Sequence, residues 1–204
     1  MVTYRRDDAH ALPQNYTAAL DLFGRLVRQV DPGQWGLPTP CRRWTVRDLV
    51  HHVTVQHLWV PPLLAGVPAA VVDDRVDGDR HAEDPVLAWK RASAEAEEAV
   101  HTKGALDRPV TLWTGPAPAT HLCSQLAMDT VVHAWDLARA IGADTRLPDP
   151  LVSFALRELS GYADRLAASG LFDRPRPVPA HADSQTRLLA LTGRDGQTGV
   201  VTSS

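Results

Sequence analysis

Leu126-Ala127-Met128-Asp129-Thr130-Val131-Val132-His133-Ala134-Trp135-Asp136-Leu137 reads as helix, and the rest of the chain follows from it. Leu122, Leu126, Thr130 and Leu137 mark a buried seam at helical spacing. At about 100° per residue, Asp129 and His133 fall together on the flank of that seam, one turn apart. Asp136 lies on the same flank. A carboxylate and an imidazole on an inward face need a partner, because burying Asp129 alone would be costly or force it neutral. A divalent cation is one such partner, and this donor pair suits zinc, nickel, iron or manganese. A hydrogen-bonded Asp-His pair on one helix is the plainer alternative. Two ligands are also fewer than the three protein ligands usual at a catalytic zinc.

A third donor is available upstream, in Thr45-Val46-Arg47-Asp48-Leu49-Val50-His51-His52-Val53. This helix has a strong start: Thr45 fits the N-cap, Asp48 the N3 position, and Trp44 and Leu49 the staple positions. It offers His51, His52 and His57. A wheel centred on Val46, Leu49, Val50 and Val53 puts His57 inside, His52 at the edge and His51 outside. Periodicity therefore favours His57 as the inward imidazole and leaves the third ligand open among the three.

Outward from these two helices, the pattern stays helical. Tyr16, Leu20, Phe23, Leu26, Val27 and Val30 predict a first helix from Pro13 to Val30, with Pro13 in its first turn. Residues 1–12 read as a mobile polar lead. Residues 63–84 form an acidic connection with room for a short helix. A third helix is expected from Asp84 or Pro85 to His101, and an extended stretch or hairpin over 108–118. The fourth helix runs from about Thr120 to Ile141, stopped by Gly142, and a fifth from Pro148–Pro150 to about Ala168. Residues 171–204 read as a Pro-rich strap and a short helix. The expected class is all-α: four long helices with small additions, in one domain over residues 1–204.

Composition narrows the function. The chain has 204 residues, 44% of them hydrophobic, and a formal charge of −3. It has no basic block of the kind nucleic acids or acidic membranes attract. The apolar stretch from Leu58 to Val72 is broken by Pro61, Pro62, Gly66 and Pro68, so a membrane-spanning helix is not expected. The first residues lack the apolar run of a signal peptide, which points to the cytoplasm. Cys41 and Cys123 are too few for a disulfide framework and lie in no CxxC. The expected partner is a small molecule, and nothing specifies an oligomeric state.

Three ordered stretches carry a resemblance. Pro38-Thr39-Pro40-Cys41 through Trp44, Asp48-Leu49-Val50 and His52 resembles the PTPC..W.V.DLV.H motif of actinobacterial DinB-like proteins. That group includes the mycothiol-dependent maleylpyruvate isomerase N-terminal domain. Asp129 through Gly142 resembles its D...HAWDLARA.G signature, and Leu171 through Asp195 its C-terminal pattern. The resemblance implies a DinB-type four-helix bundle and a metal held by His52, Asp129 and His133. His52 is singled out because it aligns with the last residue of DLV.H. The isomerase itself has Glu where this chain has Asp129, so a metal here would sit closer to the fourth helix.

The resemblance further implies a reaction class. A metal acidifies a bound thiol as it does bound water, producing a nucleophile at neutral pH. The leading expectation is a metal-dependent thiol S-transferase or isomerase of the mycothiol type, acting on a small electrophile. The alternatives are a Lewis-acid hydrolase, cyclase or ring-opening enzyme of natural-product tailoring, and a metal or ligand binder without turnover. Asp136 is a candidate to orient a ligand or to pair with Arg139. Cys41 reads as a buried structural cysteine near the site, and Arg42 and Arg43 as solvated charges.

Overall fold

A computed structural model of the chain describes residues 6–76, 84–160 and 174–196. The order is α1 (Arg6–Val27), α2 (Val46–Leu58), α3 (Val60–Leu64), α4 (Ala69–Val76), α5 (Pro85–His101), β1 (Pro109–Leu112), β2 (Gly115–Pro118), α6 (Ala119–Ile141), α7 (Asp149–Ser160) and α8 (Ser184–Leu191). The chain divides into two compact units, Met1–Arg146 and Leu147–Ser204.

The first unit contains a four-helix bundle. Helix α1 packs on α6 and α5, and α2 packs on the same two helices from the other side. The contact faces are the apolar stripes of each helix: Leu12, Tyr16, Ala19 and Phe23 on α1; Val46, Leu49, Val50 and Val53 on α2; Trp89, Ala92 and Ala96 on α5; Ala127, Val131, Ala134 and Leu137 on α6. Gly24 lets α1 approach α5 closely. A Cβ there would lie 2.8 Å from the Trp89 indole nitrogen, and Trp89 stacks edge-on against the neighbouring Phe23 at 4.8 Å.

Helix α2 opens with the expected reciprocal cap between Thr45 and Asp48. Asp84 caps α5 by accepting from the Val86 and Leu87 amides, with Pro85 in the first turn. Helix α6 ends where Gly142 adopts a left-handed conformation. The extended stretch is an antiparallel hairpin in which Pro109 faces Pro118 and Leu112 faces Gly115, with Trp113 and Thr114 at its tip.

The first helix differs from expectation at both ends, closing at Val27 rather than Val30. Pro13 lies inside α1 rather than in its first turn, and helix already runs from Arg6. Leu12 explains the extension: it is fully buried, four residues before buried Tyr16, so packing holds the turn that Pro13 weakens. Helix α3 follows α2 directly, and the acidic connection holds one short helix, α4, in its described part up to residue 76. The lead expected to be mobile over residues 1–12 is helical from Arg6, while residues 1–5 and the fifth helix expected beyond residue 160 lie outside the described residues. In the second unit, α7 packs on α8, and the Pro-rich strap preceding α8 is irregular from residue 174. No helix among the described residues is long and apolar enough to cross a membrane.

Candidate metal centre

Two adjacent bundle helices bring the candidate ligands together. His52 sits on α2, two turns after the Thr45 cap, and Asp129 and His133 sit on one face of α6. The Asp129 Oδ2 lies 3.4 Å from His133 Nε2 and 3.9 Å from His52 Nε2. One donor atom from each residue falls within 4.8 Å of the others. Ligand atoms about 2.0–2.1 Å from a tetrahedral cation stand about 3.4 Å apart. The α6 pair already has that separation, and His52 Nε2 stands 3.9 Å from the same Asp129 oxygen. The Asp129 Oδ2 is buried and has no hydrogen-bond partner, a condition that a cation relieves.

His133 is oriented from behind. Its Nδ1–H donates to Asp136 Oδ2 at 2.9 Å, which leaves Nε2 facing Asp129 and His52. Asp136 is fully buried and also accepts from the Cys41 thiol at 3.3 Å. Cys41 stands 3.8 Å from His133 Nδ1, so it is half-buried beside the site rather than in the core. Cys41, His133 and Asp136 form a second cluster of potential ligands through the other ring nitrogen. The short bond from Nδ1 to Asp136 engages that nitrogen and favours the Nε2 set.

The electrostatics match a site for positive charge. Burial works against the Asp129 charge, yet neighbouring His133, with His52 and Gln56, holds its carboxyl well below the usual carboxylate range. Burial likewise disfavours a charged His133, but Asp129 and the bond to Asp136 push it up to about 10. Without a metal, a proton on His133 supplies the positive charge that the carboxylates stabilise. A divalent cation on Nε2 would take its place.

The remaining histidines separate cleanly. His57 is inward, as the wheel expected, but it lies apart from the cluster. Its Nδ1 is 2.7 Å from the Tyr16 hydroxyl and its Nε2 2.9 Å from Thr130 Oγ1. Burial pushes it down to about 3, so it is a neutral core histidine. His51 is half-buried and belongs to neither cluster of potential ligands.

The loop before α2 shapes the near side of the site. Thr39 donates from its amide to the Trp44 carbonyl at 3.0 Å, and the amides of Val46 and Arg47 bond back to Leu37 and Trp35. Arg43 takes a left-handed backbone, φ 68°, which is uncommon outside glycine. This turn sets the Trp44 ring 4.6 Å from the His52 ring and 6.0 Å from that of His133. Helical periodicity carried no signal for Cys41 or Trp44 at the site, since a folded-back loop delivers both. Cys123 is buried in the core, and burial pushes its thiol up to about 12, so it is inert.

Over residues 16–138 the chain matches the family described as the mycothiol maleylpyruvate isomerase N-terminal domain. It is similar to two uncharacterized proteins, from two strains of Mycobacterium tuberculosis. Each is 32% identical over 182 residues, spanning 86% of this chain and 93% of the relative. Among solved structures, the fold is similar to that of a mycothiol-dependent maleylpyruvate isomerase, with a TM-score of 0.61, and of its histidine-to-alanine mutant, with 0.64. The identity is 16%, over 79% of this chain and 72% of theirs, so the likeness speaks for the fold.

Proposed function

The chain belongs to the mycothiol maleylpyruvate isomerase N-terminal domain family, and from that premise we propose that it is a metal-dependent enzyme that activates a thiol for transfer to, or isomerisation of, a small electrophile. The observation that carries the proposal is the convergence of two imidazole Nε2 atoms on one buried carboxylate oxygen that lacks a hydrogen bond. A divalent cation held there, with zinc the best match to the donors, would acidify a bound thiol toward neutral pH.

The protein's own groups have distinct tasks. Asp129 contributes the negative charge and His52 and His133 the neutral nitrogens. Asp136 keeps the His133 proton on Nδ1, so that Nε2 stays a donor to the cation. Trp44 packs against His52 and restricts its rotation, holding a half-exposed ligand near the other two. The thiol is of the mycothiol type by family, and a cation held by His52, Asp129 and His133 would supply the acidity that makes it a nucleophile.

The test begins with protein purified without a nickel column. Elemental analysis should find close to one equivalent of a divalent metal. A thiol cofactor with monochlorobimane as electrophile should turn over. His133→Ala should lose both the metal and the turnover while keeping its helical circular dichroism. Unchanged turnover in that variant would refute the proposal.

A further inference from the structure

His133 meets potential ligands on both sides of its ring. Its Nε2 faces Asp129 and His52, and its Nδ1 faces Asp136 and Cys41. The second side is a closed triangle. Cys41 Sγ is 3.3 Å from Asp136 Oδ2 and 3.8 Å from His133 Nδ1, and those two atoms are 2.9 Å apart. Around a tetrahedral ion, with sulfur at about 2.3 Å and nitrogen or oxygen at about 2.0–2.2 Å, the same edges are about 3.3–3.6 Å. Each side of the triangle lies within about 0.5 Å of that requirement. His133 and Asp136 are buried, while Cys41, in the loop before α2, is half-buried and meets solvent. The loop holds that corner in place. The Cys41 amide donates to Thr39 Oγ1 at 3.2 Å, and the Cys41 carbonyl accepts from the Trp44 amide at 3.1 Å. Arg43, with its left-handed backbone, closes the turn between Cys41 and Trp44.

We propose that Cys41, His133 Nδ1 and Asp136 form a second cation site, for a thiophilic divalent ion, which competes with the first site for His133. Softness separates the two sites. A thiolate selects soft ions, whereas the imidazoles and carboxylate of the first site suit zinc and its neighbours. Charge separates them as well. A thiolate and a carboxylate neutralise a divalent ion, while Asp129 alone leaves one positive charge uncompensated. Binding moves two protons: the thiol proton goes to solvent, and the Nδ1 proton is relocated to Nε2. There Asp129 Oδ2, 3.4 Å away, accepts it. A nitrogen that carries a proton cannot ligate, so each site excludes the other. The Nδ1–H bond to Asp136 favours the first site for zinc. A soft ion offsets that bond through sulfur, which the first site lacks. Only the competition rests on the function proposed above; the triangle stands without it.

Cadmium(II) is the probe, because sulfur coordination gives it an ultraviolet charge-transfer band that nitrogen and oxygen ligands do not. Metal-free wild-type protein should develop this band and saturate near one equivalent. Cys41→Ser should abolish the band and keep zinc bound, measured by chelator competition. His52→Ala, which removes a ligand of the first site alone, should lose zinc and keep the band. Asp136→Asn keeps the shape and weakens the ligand, so the cadmium concentration at half-maximal band should rise more than about tenfold. In zinc-loaded wild type, zinc should leave as the band grows, followed with a chromophoric chelator. No band in wild type, a band that survives Cys41→Ser, or a band lost in His52→Ala overturns the site. An unchanged midpoint in Asp136→Asn would show a lone thiol binding the ion and overturns it too. A band that grows while zinc stays bound overturns the competition. If the wild type binds no zinc, the proposed function fails, and the cadmium band still decides the second site.

Discussion

Asp136 lies behind the His52–Asp129–His133 cluster, yet it decides which nitrogen of His133 is available. Its carboxyl is fully buried and takes the Nδ1–H at 2.9 Å. Asp136→Asn keeps the shape and weakens the acceptor, so metal affinity should fall about 10- to 100-fold, measured by competition with a chromophoric chelator. An unchanged affinity would mean that Asp136 only fills space. Asp129 and His133 were legible in the sequence because i and i+4 on a helix always share a face. The role of Asp136 was open between orienting a ligand and pairing with Arg139, and a hydrogen bond within α6, at i and i+3, places it against His133. The choice among His51, His52 and His57 could not come from periodicity. A wheel finds the dry centre of a stripe, where His57 lies with its two hydrogen bonds. A ligand that must meet solvent-borne molecules belongs at the stripe's edge, and the His52 side chain is 35% exposed.

At the level of elements, α2 is held in place by its first turn. The Thr45 hydroxyl accepts from the Asp48 amide, and the Asp48 carboxylate accepts from the Thr45 amide at 3.0 Å. Thr45→Ala removes half of this cap and should cost about 1 kcal/mol. For a chain of this size that lowers Tm by about 2–4 °C, read by calorimetry, with the helical signal retained at 20 °C or so below the transition. A loss of helix in the native baseline would show that the cap controls folding of α2 and not merely its stability. The caps at Thr45 and Asp84 and the stop at Gly142 were legible because each depends on a residue type at a fixed offset. Pro13 was misplaced because its preference for first turns is only local, while burial of Leu12 is tertiary.

Across the whole molecule, a single polar chain ties three bundle helices together through the core. The Thr130 hydroxyl of α6 donates to the Leu126 carbonyl at 2.7 Å, so it must accept the Nε2–H of His57 on α2. The Nδ1 of His57 then accepts from the Tyr16 hydroxyl of α1. Both ring nitrogens are satisfied only in the neutral form, and burial lowers the His57 pKa to about 3. An unfolded chain protonates this histidine below about 6.5. Between the two values the unfolded state binds one more proton than the folded state, so stability falls as pH falls. The limb should begin near pH 6.5 and steepen toward about 1.4 kcal/mol per pH unit. The fall in stability between about pH 6.5 and 4.5 belongs to His57, because ordinary carboxylates titrate below it and His133, raised to about 10, acts with the opposite sign and mainly above that window. Urea unfolding of metal-free protein at several pH values measures this slope. His57→Gln can still bond to both Tyr16 and Thr130 but cannot take up a proton, so it should flatten the limb between pH 6.5 and 4.5 even if it lowers stability at pH 7. A slope that persists in that variant would place the acid sensitivity in another group and leave the Tyr16–His57–Thr130 chain a matter of packing alone.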